Sequence, residues 1–242
     1  MSLDHLALLT GDLEAFVVAV QHGPADAPVA GCPGWTLEAL GEHLGEVHRW
    51  VLGALATGAP PTPNTDTAPM GDLDALAAWL RGGSARLIAT LAATDPGSPT
   101  WHPFPVVPKV AGLWRRRQAH EASVHRWDAE RAAGGRPTIE REFAADGVDE
   151  YWTVMLPRMI GRERRRTPAS TLAVQLTDID VRWVVDGSSG APVVGAADSP
   201  AAELRGDAQS VLLRLWGRPT DNPIDISGDA AVAEEWLALG GA

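Results

Sequence analysis

The chain has 242 residues, 45% of them hydrophobic and 21% charged, with a formal net charge of −11. That is enough chain for one large or two modest globular domains with real cores. The acidic balance argues against partners that present phosphate backbones or anionic membrane, and no apolar run approaches the ~18 residues of a membrane span. A lone cysteine, Cys32, excludes an internal disulfide framework and points to a reducing, cytoplasmic setting. The opening segment MSLDHLALLTGDLEAF lacks a basic start and is interrupted by Asp4, Asp12 and Glu14, so no signal peptide is expected.

The first two-thirds of the chain reads as helices. Leu3, Leu6, Leu9, Leu13, Phe16, Val17 and Val20 recur at helical spacing and predict a first helix over about 3–21. Breakers in GPADAPVAGCPGW end it, and Thr36 is placed to cap a second helix carrying Leu37, Leu40, Leu44, Val47, Val51 and Leu55 up to Gly58. A proline-rich loop follows, then a third helix over about 73–94, in which Gly82-Gly83 suggests a bend. DPGSPTWHPFPVVP is too rich in proline to be helical, whereas residues 109–133 predict a fourth helix closed by Gly134-Gly135. A fifth, over about 144–165, is expected to kink or split at Pro157.

Past Arg166 the pattern changes. TLAVQLTDIDVRWVVDG alternates with period two and reads as two strands or one long bent one. AAELRGDAQSVLLRLWGRP reads as a short helix, NPIDISGD as a strand, and AVAEEWLALG as a final helix. The expected organisation is α+β, with a helical bundle of four or five helices over 1–166 and a small α/β domain over 167–242. The second piece carries 4 basic and 11 acidic side chains against 16 and 20 in the first, so the charge deficit concentrates there.

The chemistry sits in RRRQAHEASVHRWDAE. Glu121 and His125, four apart, stack on one helical face about 40° from each other, with Trp114, Gln118 and Asp128 nearby. A carboxylate on a face carrying tryptophan and valine needs a cation or hydrogen-bond donors if it turns inward. A metal ion would supply that charge, and Glu/His at i, i+4 is a recurrent ligand pair, zinc being the commonest metal for such mixed sites. A buried His–Glu hydrogen bond, or a surface pair without function, explains the same spacing. His120 and His125 are five apart, about 140° around the helix, which rules out a zincin-type protease motif. A third ligand would come from the second helix, where His43 and His48 flank the apolar stripe on opposite sides; geometry does not choose between them. Glu42 and Glu46 read as solvated charges, and His5, His22 and His102 as structural or exposed. Cys32, before the second helix, is either a small buried apolar residue or an activated thiol. The arginine clusters 115–117 and 162–166 are expected to decorate helix surfaces and ends, paired to the excess acid.

CPGWTLEALGEHLGEVHRW (32–50) and WRRRQAHEASVHRWDAE (114–130) together resemble the mycothiol-dependent maleylpyruvate isomerase family, and LRGDAQSVLLRLWGRPTDNPIDISGD (204–229) is similar to the domain that follows it there. The resemblance implies a DinB-like bundle fused to a sterol-carrier-like α/β domain. It implies a divalent metal, typically zinc, held by His43, Glu121 and His125, with His43 rather than His48 chosen by resemblance. It further implies mycothiol as thiol cofactor, its thiolate adding to a cis double bond beside a carbonyl, rotation of the saturated bond, and expulsion of the thiolate to give the trans product. Arg218, in the LWGR segment, is the expected catalytic cation for a substrate carboxylate or the developing enolate, unless it pairs with an acid such as Asp221. A cleft between the domains is the expected site, and the partners are mycothiol and a small-molecule substrate, with neither nucleic acid nor membrane, in a monomer or small homo-oligomer. Two other activities are open: a mycothiol S-transferase, in which the thiol stays attached, and a non-catalytic ligand-binding protein.

Overall fold

A computed structural model describes residues 3–63, 65–195 and 199–240, so Asn64 of the proline-rich loop lies outside the described residues. The chain divides into two compact units, one of Met1–His102 with Val106–Pro137, the other of Pro103–Pro105 with Thr138–Ala242. The division falls earlier than the change of sequence pattern near residue 166.

The first unit is four helices: α1 (His5–His22), α2 (Leu37–Thr57), α3 (Leu73–Ala93) and α4 (Gly112–Ala132). Three start where a side chain accepts orphan backbone N–H groups: Asp4 from Leu6 and Ala7, Thr36 from Ala39, Asp72 from Ala75. Gly58 ends α2 in the left-handed conformation, φ 64°. Leu9, Leu13, Phe16 and Val20 of α1 meet Leu40, Leu44 and Val51 of α2 and Leu76, Leu80 and Leu87 of α3 in the bundle core. Each of α1 and α2 packs against both α3 and α4.

Helix α3 runs unbroken through Gly82-Gly83, where the sequence suggests a bend. The second glycine has a packing reason: a Cβ at Gly83 would sit 2.7 Å from Nη1 of Arg49. That guanidinium stacks 3.5 Å over the Trp79 ring and donates to the Gly45 carbonyl and, through Nε at 2.7 Å, to Asp66. Trp79 Nε1 also donates to Asp66 at 2.8 Å, so one carboxylate pins the loop before α3 to both flanking helices.

The second unit begins with α5 (Arg141–Glu150), one π turn (Tyr151–Met155) and α6 (Leu156–Glu163). This is the expected fifth helix, interrupted as Pro157 requires. Proline lacks an N–H and clashes with the carbonyl four residues back, and widening the preceding turn to i→i+5 bonding accommodates it. Helix α5, with Phe143, Ala144 and Val148 buried, packs on α7 of its own unit, which is why it groups with the sheet rather than with the four-helix unit.

Five strands form a mixed sheet in the order β3-β2-β1-β4-β5. They are β1 (Thr171–Leu176), β2 (Arg182–Asp186), β3 (Val193–Gly195), β4 (Ala202–Gly206) and β5 (Asp225–Gly228), with α7 (Ala208–Leu215) and α8 (Ala230–Leu237). The first alternating stretch is therefore two antiparallel strands, and β4 lies parallel to β1. AELRG, expected as helix, is strand β4. Ala202, Leu204 and Gly206 are buried while Arg205 is exposed and Glu203 half-buried, and Asp207 then caps α7 by accepting from Ser210. Pairing with β1 and β5 overrides the helical preference of Ala, Glu, Leu and Arg. The architecture is α+β. Among the described residues no helix is long and apolar enough to cross a membrane.

Two glycines test the packing of the first unit in opposite directions. A Cβ at Gly45 would overlap the six-membered ring of Trp79, whereas one at exposed Gly82 meets nothing within 4 Å. Alanine gains about 1 kcal/mol in helix propensity at either site, against an overpacking cost of about 1–3 kcal/mol at the first. Urea unfolding should find Gly82→Ala more stable than wild type and Gly45→Ala less stable; equal gains in both would disprove the close Trp79 contact.

Candidate metal centre

Helix α4 builds most of a polar cluster by itself. Arg117, Glu121, His125 and Asp128 follow at intervals of four, four and three, so they form one stripe along its inner face. Arg117 is buried and its Nη2 donates to Glu121 Oε2 at 2.8 Å. The other oxygen, Oε1, lies 3.4 Å from His125 Nε2 and 3.5 Å from His43 Nε2 of α2. On the far side of the His125 ring, Nδ1 is 3.2 Å from Asp128 Oδ2.

The turn before α2 completes the cluster. Backbone bonds from Val29 to Trp35, Cys32 to Val29 and Trp35 to Cys32 fold the CPGW segment on itself. The Trp35 ring is thereby set 4.7 Å from the His43 ring, whose edge faces His125 at 5.2 Å. Cys32 is buried with Sγ 3.9 Å from Asp128 Oδ2. The cluster is open on one side, since the His43 side chain is 33% exposed and that of His125 only 10%.

Electrostatics follow from this packing. Burial pushes the Glu121 carboxyl up, but the approach of His125 and His43 and the charge of Arg117 outweigh it and hold it well below the usual carboxylate range. Burial pushes His125 down, and its contacts with Asp128 and Glu121 reverse this and raise it.

Residues 6–130 match the family model described as the mycothiol maleylpyruvate isomerase N-terminal domain, and residues 142–235 match the MDMPI C-terminal domain. The chain belongs to the mycothiol maleylpyruvate isomerase family. Two solved structures are similar to it, both crystal structures of the mycothiol-dependent maleylpyruvate isomerase, one being a histidine-to-alanine variant. Each aligns over 93% of this chain and 92% of its own, with a TM-score of 0.63 and 13% sequence identity, which is a likeness of fold. No curated protein matches the chain in sequence.

In this family member the donor set fits a metal ion. His43, Glu121 and His125 each offer one ligand atom, all within 4.8 Å of one another. A tetrahedral ion with bonds of about 2.0–2.1 Å holds its donor atoms about 3.3–3.4 Å apart. The two measured nitrogen–oxygen separations, 3.4 and 3.5 Å, are close to that edge and long for N–H···O hydrogen bonds, which centre near ~2.9–3.0 Å.

The structure brings together Glu121, His125 and His43 and leaves His48 out. His48 is 1% exposed, and neither ring nitrogen has a hydrogen-bond partner. His120, on another face of α4, has its ring 6.0 Å from that of His5. Arg218 belongs to the second unit, where its Nη1 donates to the Trp216 carbonyl at 2.8 Å. Two partners escaped the reading of the sequence. Arg117 was expected to decorate the surface, yet it is buried against Glu121, and the i, i+4 Arg/Glu spacing was the available signal. Its neighbour Arg115 donates to the Leu91 and Thr94 carbonyls at the end of α3, as a helix-end cation should. Asp128 was seen to share the face, but its contact with Nδ1 depends on the ring orientation of His125.

Burial, with the nearby Arg49 charge, pushes His48 from its ordinary 6.5 down to about 3. It is neutral in the fold and takes up a proton on unfolding, so acid favours the unfolded chain once pH falls below 6.5. Wild type should lose about 1.4 kcal/mol per pH unit more than His48→Leu between pH 6.5 and about 3. Urea-unfolding free energies of the two proteins across that range check this; parallel curves would refute a neutral buried imidazole.

Proposed function

We propose that the protein is a metal- and thiol-dependent cis–trans isomerase of maleylpyruvate-like substrates, with zinc held by His43, Glu121 and His125 and mycothiol as the thiol cofactor. The supporting observation is the nitrogen–oxygen spacing at Glu121 Oε1, which matches the edge of a zinc tetrahedron. When bound, zinc and mycothiol would supply a thiolate at neutral pH for reversible addition to a double bond conjugated with a carbonyl.

The chain's residues set the conditions for that chemistry. Two neutral imidazoles and one carboxylate leave a dication with net positive charge, which favours an anionic sulfur beside it. Arg117 engages Oε2, so Glu121 would offer a metal a single oxygen, and with His43 and His125 it would leave room for one ligand from outside. Half-buried His43 marks the side from which that ligand would arrive, and Trp35 gives it an apolar wall there. Arg218 is proposed as the cation for a substrate carboxylate or enolate oxygen, because a guanidinium fork matches two oxygens. A cytoplasmic location accords with the lone reduced thiol.

Metal analysis of untreated protein should find zinc in the wild type and in His48→Ala, and none in His43→Ala or Glu121→Ala. Zinc lost only from the His48 variant would assign the wrong histidine. Incubation with mycothiol and maleylpyruvate should yield fumarylpyruvate, whereas a stable thioether would make the protein an S-transferase and neither product would end the proposal. Arg218→Ala should keep its zinc and lose on the order of 10²-fold in turnover; full turnover would remove Arg218 from the site.

A further inference from the structure

The second nitrogen of His125 points to a role for Asp128. An imidazole that binds a metal through Nε2 must present a lone pair there, which requires the proton to sit on Nδ1. A free histidine side chain favours the opposite tautomer, with its proton on Nε2. Asp128 Oδ2 stands 3.2 Å from Nδ1, and the carboxylate is wholly buried. An ionised carboxylate accepts and cannot donate, so in that form Asp128 selects the tautomer with the proton on Nδ1. The same ring then aims Nε2 at Glu121 Oε1, 3.4 Å away.

We infer that Asp128 is a positioning residue that fixes His125 in the tautomer and ring orientation needed for a metal at Nε2. The inference rests on the metal reading of His43, Glu121 and His125 and deepens it. Because 125 and 128 are three apart on α4, ring and carboxylate are held by one rigid element and need no tertiary contact to find each other. The thiol of Cys32 approaches the same oxygen at 3.9 Å, so Asp128 also ties the turn before α2 to α4.

Cys32, His125 and Asp128 form a second group of three potential ligand atoms within 4.8 Å. Two observations favour a hydrogen-bonded support over a second metal site. The Nδ1–Oδ2 separation of 3.2 Å is a hydrogen-bond length, and the Sγ–Oδ2 separation of 3.9 Å exceeds the ~3.6 Å edge implied by metal–sulfur and metal–oxygen bonds of about 2.3 and 2.1 Å. His125 cannot donate from Nδ1 and ligate through it at once.

The test uses the full chain. Long-range proton–nitrogen spectra of the metal-free, nitrogen-15-labelled protein at mildly alkaline pH report the His125 tautomer, assigned by its loss in His125→Gln. The expected result is a proton on Nδ1. Competition with a chromophoric chelator should show Asp128→Asn binding zinc about 10–100-fold more weakly than wild type, with a cooperative thermal transition retained. Titration with zinc or cadmium should saturate at a single ion per chain. A wild-type tautomer with the proton on Nε2, or wild-type zinc affinity in the folded Asn variant, overturns the role of Asp128 while leaving the metal centre standing. A second ion lost in Cys32→Ala would make Asp128 a ligand instead. Failure of the wild type to bind zinc overturns the metal reading, and this inference with it. Should the Asn variant not fold, the wild-type tautomer and stoichiometry still decide.

Discussion

The negative charge of Glu121 in the wall of a helical unit governs how this part of the molecule is built. A carboxylate with 18% of its side chain exposed, set among tryptophans and alanines, is costly unless donors surround it. Arg117 engages one oxygen, and the two imidazoles share the other. That division of labour is asymmetric. The guanidinium is a permanent cation at hydrogen-bonding distance, whereas the imidazoles stand farther off and can exchange a proton for a metal. The contacts with Asp128 and Glu121 raise the affinity of His125 for a proton. The metal proposed for this site would therefore compete with a proton at one atom, Nε2.

The sequence spacing on α4 follows from that constraint. Arg117, Glu121, His125 and Asp128 alternate basic and acidic along a single stripe, so each charge has its opposite one turn away. Such a stripe inside a bundle leaves little room for the leucines that line α1 and α2. Helix α4 compensates with Trp114, Ala119, Ala122, Val124 and Trp127 around it, and the pairing of Arg126 with Asp12 at 2.8 Å joins it to α1.

What could be read from the sequence sorts by range. The four helices of the first unit were legible because leucine periodicity and the caps Thr36 and Gly58 are local signals. The Glu121/His125 pair was legible for the same reason, both residues riding one helix. The choice between His43 and His48 was not, because it depends on which flank of α2 faces α4, and that is set by the order in which four helices pack. Resemblance favoured His43 where periodicity could not. Arg117 and Arg115 sit two apart in one basic run, yet one is buried in the cluster and the other caps α3; their charge identifies neither role. Strand β4 was missed because AELRG is made of helix formers, and only its place between β1 and β5 makes it extended. The extent of the first unit was also obscured, since α5 is helical like α1–α4 but buries its apolar face against α7.

Cys32 shows why a protein proposed to use an exogenous thiol can carry one of its own close by. Its sulfur is buried and lies 3.9 Å from the Asp128 carboxylate. A thiolate there would place two negative charges side by side in the interior, where their repulsion is far stronger than in water. The contact is a weak hydrogen bond in which the thiol donates to Oδ2 of Asp128. Asp128 thus acts in two directions on this reading. As inferred above, it would hold the proton of His125 on Nδ1 and leave Nε2 to the proposed ion, and it accepts from the Cys32 thiol.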